Sequence, residues 1–327
     1  MSKSFYFTAL LLLFFADNVV ANNHTHRTDE HAPIGVMRDH VHKKGETMLS
    51  YRYSHVKMSG LRNSDSNVSS DAALTERNIV PLNMRMRMDM FSAMYGLTDR
   101  MTVALMGTVI GKEMSHQKRN GDKFNRESEG VGDTKVSTLY QFYNDGNDKF
   151  LFNMGLSLPT GSSDRHFSGS RLPYPMQIGS GSYEALPGLS YTALRDGYSF
   201  GGQFNASFKI NSNNNGYKLG DSYNATSWIS KAINNSLSIS TRLDYHKIEA
   251  IEGRDSSLNP AMIVAADASV QDRQYLDALI GVNYLIPDSV IRGFRVAFEV
   301  GAPIYQRFDD NMLETDYKAV IGLQKTF

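Results

Sequence analysis

Phe200 to Ile210 reads FGGQFNASFKI, with Phe200, Phe204, Ala206, Phe208 and Ile210 at even positions and Gln203, Asn205, Ser207 and Lys209 set against them. Successive side chains of a β-strand point to opposite faces, so this period of two makes a ribbon with one apolar and one polar side. A helix would need its apolar residues at a spacing of 3.6. Leu237 to His246 repeats the pattern, with Leu237, Ile239, Leu243 and Tyr245 opposed to Ser236, Ser238, Ser240, Arg242, Asp244 and His246. Phe150, Phe152, Met154, Leu156 and Leu158 oppose Asn153 and Ser157 in the same way.

From residue 46 onward the chain keeps this rhythm, and it predicts strands at about 46–58, 82–95, 100–114, 132–144, 149–158, 183–194, 198–211, 220–232, 236–249, 272–285, 294–302 and 316–327. Short links at Gly96 to Asp99, Asn144 to Asp148, Asp196-Gly197, Asn234-Asn235 and, somewhat longer, Pro287 to Gly293 alternate with long polar stretches at about 59–81, 115–131, 159–182, 250–271 and 304–315. Asn, Asp and Gly tolerate the positive φ of tight hairpins. About twelve strands, short turns on one rim and long loops on the other describe an all-β fold, a single transmembrane antiparallel β-barrel. In lipid every backbone N–H and C=O must pair inside the protein, and a closed sheet does this without an open edge. The apolar faces then look outward, with Tyr95, Tyr140, Phe142, Tyr191, Tyr245 and Tyr284 suited to the interfacial girdles. A last strand carrying Tyr317, Ile321, Leu323 and the terminal Phe327 resembles the recognition signal of the outer-membrane barrel assembly machinery, although Lys325 departs from it. That machinery during biogenesis and outer-membrane lipid afterwards are the expected partners.

The N-terminus reads as an export signal: Lys3, an apolar core from Phe5 to Phe15 too short to span a bilayer, and a small-residue cleavage site at Val19-Val20-Ala21. The expected organisation is a signal peptide at 1–21, a His-rich periplasmic leader at 22–45 and a barrel at 46–327 in the bacterial outer membrane. The 34 basic and 34 acidic residues cancel, which argues against nucleic acid as a partner. With no cysteine, disulfides, thiolate metal sites and cysteine nucleophiles are excluded.

Turning the apolar faces outward predicts a lumen lined by Arg52, Arg85, Arg87, Asp89, Lys135, Lys209, Arg242, Asp244, Asp277, Arg295, Glu299 and Lys318. In MRMRMDM, Arg85, Arg87 and Asp89 alternate with Met84, Met86, Met88 and Met90. The expectation is a charged inner face, neutralised across the lumen or acting as a basic constriction, and a methionine face packed against lipid. A barrel of this size has a narrow bore or a plugged one, suited to small solutes. In the leader, His24, His26, His31, His40 and His42 are candidate metal ligands, although no spacing defines a site and a polar disordered segment is the simpler reading. Insertion of the leader into the lumen is a third possibility that the sequence does not decide. His166-Phe167-Ser168 has the His-x-Ser spacing of outer-membrane phospholipases but lies in a Gly- and Ser-rich loop, so no enzyme and no cofactor is expected.

Four strings carry a family resemblance: PIGVMRDHVHKKGETMLSYRY (33–53), EGVGDTKVSTLY (129–140), LPYPMQIGSGSYEALPGLSY (172–191) and the ending ETDYKAVIGLQKTF. Together they resemble the outer-membrane β-barrel transporters of the phenol-degradation meta-pathway type. Membership implies an outer-membrane channel and adds hydrophobic or aromatic solutes to the candidate cargoes. Gly130, Gly132 and Asp133 are then expected at a strand entry, and Pro173, Pro175, Gly179 and Gly181 in a shaped outer loop. A passive channel for small solutes is the leading expectation, with a metal-linked protein and a closed structural or adhesive barrel as alternatives.

Overall fold

The computed structural model describes residues 28–287 and 293–327. The export signal, His24 and His26 therefore lie outside the described residues. The main strands are β1 (Thr47–Ser64), β2 (Ile79–Thr98), β3 (Met101–Lys118), β4 (Lys123–Val131), β5 (Thr134–Asn144), β6 (Asp148–Leu158), β7 (Glu184–Arg195), β8 (Tyr198–Lys209), β9 (Ser222–Ala232), β10 (Leu237–Ile248), β11 (Arg273–Leu285) and β12 (Phe294–Thr326). β4 pairs only with β3 and lies off the closed path; the other strands pair antiparallel with their neighbours in sequence, and β12 returns to pair with β1, so the sheet closes. No described helix is long and apolar enough to cross a membrane; the crossing is made by strands.

β12 settles the strand count. Its 33 residues would stretch to about 110 Å if straight, far beyond the bilayer. Arg295 to Phe308 runs antiparallel to β11, whereas Phe308 to Thr326 runs antiparallel to β1. Those directions are compatible only if the chain reverses near residue 310, and Gln306 and Thr315 clasp each other there through two hydrogen bonds of 2.8 and 3.2 Å. The closed sheet thus has eleven continuous elements and twelve staves. The loop expected at 304–315 is a strand hairpin.

Outside, the opening stretch behaves as its period requires: Phe200, Phe204, Phe208 and Ile210 are exposed while Gln203 is buried. Leu105, Ile229, Ile239, Leu243 and Ile280 extend the same greasy belt around the wall. Several strands exceed the roughly 9–11 residues needed to cross. β2 has 20 residues and β3 has 18, so the wall stands well clear of the membrane on the side of the long loops. The stretch at 115–131, expected as loop, mostly belongs to this raised wall. Where β4 gives way to β5 beside β3, Gly132 and Asp133 interrupt the pairing. The loop 159–183 is tied to that interruption: Asp133 accepts from the Gly161 N–H and from the N–H and hydroxyl of Ser180, each at 2.8 Å.

A plugged lumen as the candidate functional site

The leader runs through the barrel. At the rim of short turns, the Thr28 hydroxyl donates to the Asn234 carbonyl (3.1 Å), Ser238 donates to the Thr28 carbonyl (2.8 Å) and Lys149 pairs with Glu30 (3.0 Å). The chain then dips inward. Arg295 donates to the Ala32 carbonyl (2.7 Å), Arg52 to that of Ile34 (3.2 Å) and Gln203 to that of Met37 (2.9 Å). It returns to the same rim, where the His42 N–H donates to Thr102 Oγ1 (2.8 Å) and the Lys44 N–H to Asp99 (3.1 Å). A loop inside a barrel would strand its own carbonyls, and the polar strand faces supply donors where water is excluded. Apolar contacts add to this. Trp228 packs with Ala32 and Val36, and Ile34 sits where a side chain at Gly322 would otherwise project.

Against the plug tip lies a buried charge network. Glu299 accepts from Arg242 Nη2 at 2.5 Å and from Nε at 3.2 Å, Arg242 also meets Asp244 at 3.0 Å, and Asp244 accepts from His246 at 2.9 Å. Lys318 pairs with Asp277 and lies 4.0 Å from Asp244. Gly35 rests on this network, and a Cβ there would come within 2.6 Å of Glu299 Oε1.

Between the network and the folded long loops is a cavity of about 460 Å³. Val56, Met58, Met84, Met86, Phe308 and Leu313 give it apolar walls. The loop turn Tyr174–Met176 covers it from above, with Leu172 and Met176 packed on Met84 and Met114. Lys112 reaches up from β3 to the carbonyls of Pro175 (2.8 Å) and Gln177 (2.6 Å). Arg273 lines the same space, and its guanidinium makes no hydrogen bond or ion pair among the described residues. The other charges at the wall are matched: Lys318 by Asp277, and Lys209, more loosely, by Glu184 at 3.8 Å.

Of the residues expected inside, Arg52, Lys135, Lys209, Arg242, Asp244, Asp277, Arg295, Glu299 and Lys318 face the lumen or the plug. Arg85, Arg87 and Asp89 do not. The pairing sets Val56 against Met86 and Met58 against Met84 on the inner face, while Arg85, Arg87 and Asp89 lie opposite Lys57, His55 and Tyr53 on the outer one. Arg87 pairs with Glu129 outside, and Tyr51 donates to Asp89 at 2.7 Å. The expected facing of MRMRMDM is therefore reversed. At this outer end of β2 the wall leaves the hydrocarbon, so charge is tolerated outside, and the apolar loop cap inside demands methionine. Lys112 and Arg273 were not anticipated. Lys112 pairs with Met86, and the parity of β2 read correctly would have put it inside.

The described part of the leader, expected in the periplasm, is in the lumen. There His31, Asp39 and His40 come together, with the ring of His42 4.9 Å from that of His40. His166 and Phe167 pair with Arg171 and Ser170 in a small hairpin turning at Ser168 (φ 49°), where His166 and Ser168 are exposed and Phe167 packs toward the Met84–Met114 cluster.

A closed antiparallel sheet, a greasy outer belt, long loops folded over one mouth and an inner face bound to its own N-terminal segment define a β-barrel of the bacterial outer membrane. The chain belongs to the family described as "Putative MetA-pathway of phenol degradation", whose pattern matches residues 93–303. Among solved structures it is similar to an outer membrane channel from Pseudomonas putida F1, with 14% identity, a TM-score of 0.66 and coverage of 91% of this chain and 100% of that one. More distant similarities are to the P. putida toluene transporter TodX (7% identity, TM-score 0.42, 88% and 91% of the two chains) and to the KdgM porin (12%, 0.41, 85% and 99%). At these identities the likeness is one of fold. Comparison with curated proteins gives no match.

Proposed function

We propose that the protein is an outer-membrane channel for small solutes, and that its cargo is an amphipathic anion with an apolar or aromatic body and a carboxylate-like head. The observation that carries this reading is the cavity above the plug. Its volume of about 460 Å³ falls within the roughly 300–1,000 Å³ of small-molecule sites, which are mostly apolar with a few convergent polar groups. Met58, Met84 and Leu313 suit the body, and the guanidinium of Arg273, with Lys112 near it, suits the head. Outer-membrane lipid and the assembly machinery are the partners this reading entails, and it requires no catalytic step.

Liposome swelling tests it with benzoate, benzyl alcohol, glucose and arginine supplied to purified protein. Benzoate is expected to enter faster than the neutral analogue and the sugar, and Arg273→Ala is expected to remove the advantage over benzyl alcohol. Equal rates for all four solutes would refute the cargo assignment. The plug itself favours a second reading, a closed structural or adhesive barrel. A barrel that stays electrically silent after removal of the residues before Glu46 would establish that reading and end the first.

A further inference from the structure

The plug carries a feature that solute passage does not use. His31 enters the lumen and Asp39 and His40 leave it, yet their ligand-capable atoms lie within 4.8 Å of one another. The His31 and His40 rings meet edge to face with centroids 4.8 Å apart. The Asp39 carboxylate accepts from His40 Nδ1 at 2.9 Å and from the Ala32 N–H at 3.1 Å, so it is already held in place by the hairpin it closes. His40 Nε2 is buried and has no hydrogen-bond partner among the described residues. A buried polar nitrogen left unmatched costs free energy, which an added partner would recover.

We propose that the root of the plug is a site for a transition-metal dication of the zinc, copper or nickel class, with His31, Asp39 and His40 as ligands. Two imidazoles and a carboxylate are the donor set these ions prefer, and magnesium or calcium would ask for more oxygens. Arg295 is a competing cation beside the plug. Its two terminal nitrogens are held by Ala32, Asn283 and Gln324. A bound ion bridges the entering and leaving arms of the leader, so it clamps the plug in the lumen. Occupancy thereby sets how readily the channel opens.

The test uses full-length mature protein in detergent. Calorimetry with zinc chloride is expected to show one tight site. Copper, a quencher, is expected to dim the lone tryptophan Trp228, which packs on Ala32 beside the site. His31→Ala, His40→Ala and Asp39→Asn should each weaken binding at least tenfold, and His24→Ala with His26→Ala should leave it intact. In planar bilayers, chelator should raise the open probability of wild type and leave the three variants unchanged. Cobalt loading of the wild type gives a readout independent of how the ligand variants fold: a visible absorption band from nitrogen and oxygen ligands. Absence of zinc binding, binding retained in all three variants, or binding lost with His24 and His26 alone overturns the proposal.

Discussion

Gly35 shows how little room the plug leaves. A Cβ at this position would press on the Arg242–Glu299 pair, which is itself sealed beneath the leader. Overpacking a fitted site costs about 1–3 kcal/mol. Gly35→Val is therefore expected to shift the plug toward release by about tenfold or more, seen as longer open times in planar bilayers and a red shift of Trp228 emission. Unchanged conductance and emission would mean that the leader does not rest on the Arg242–Glu299 pair. Glu299→Gln acts on the same pair from below. It leaves Arg242 with Asp244 as its remaining carboxylate, so the loss is expected to fall below the roughly 3–5 kcal/mol of a buried charge left without any partner. A clear fall in the thermal midpoint of the detergent-folded barrel is the expected outcome. Residues at this scale were partly legible. Arg242, Glu299 and Arg295 read as inward because their strands alternate cleanly, whereas Arg85 and Arg87 read inward and face out. In MRMRMDM the alternation says only that two faces differ. Which face meets lipid depends on how far along the wall the strand has climbed.

At the scale of elements, loop 159–183 is held to the wall at two places, by Lys112 under its tip and by Asp133 at its root. Asp133 accepts three hydrogen bonds from Gly161 and Ser180 at the break between β4 and β5. Hydrogen bonds to a charged group contribute about 1.5–3 kcal/mol each, though they are not additive. Asp133→Ala is expected to loosen the loop without unfolding the barrel, so that limited proteolysis cuts within 159–183 several-fold faster while the wall stays resistant. Equal cutting rates would show that the cap is held by Leu172 and Met176 instead. The Pro and Gly residues of this segment announced a shaped loop. That it folds inward onto Met84 and Met114 was not readable, because the partners are on strands about sixty to ninety residues earlier in the chain.

For the molecule as a whole, the backbone of the wall is paired around the circumference and the plug adds no strand to it. Deleting the mature residues before Glu46 should therefore leave a barrel that still folds in detergent, while its conductance rises several-fold. A deleted form that fails to assemble would make the leader part of the folding unit rather than a removable stopper.

Alternation with a period of two, turn chemistry and the parity of long and short links by themselves determined the class of fold, because those properties are local and each strand carries them independently. Tertiary structure alone decided what fills the bore. The leader's inward course depends on donors from Arg52, Gln203 and Arg295, brought to one place only when the sheet closes. Among the described residues, the cavity's uncommitted cation, Arg273, is defined by which acids its neighbours have already taken. Local pattern encodes which residues share a face, but the partners across a closed barrel are set by register and closure, which no single stretch contains.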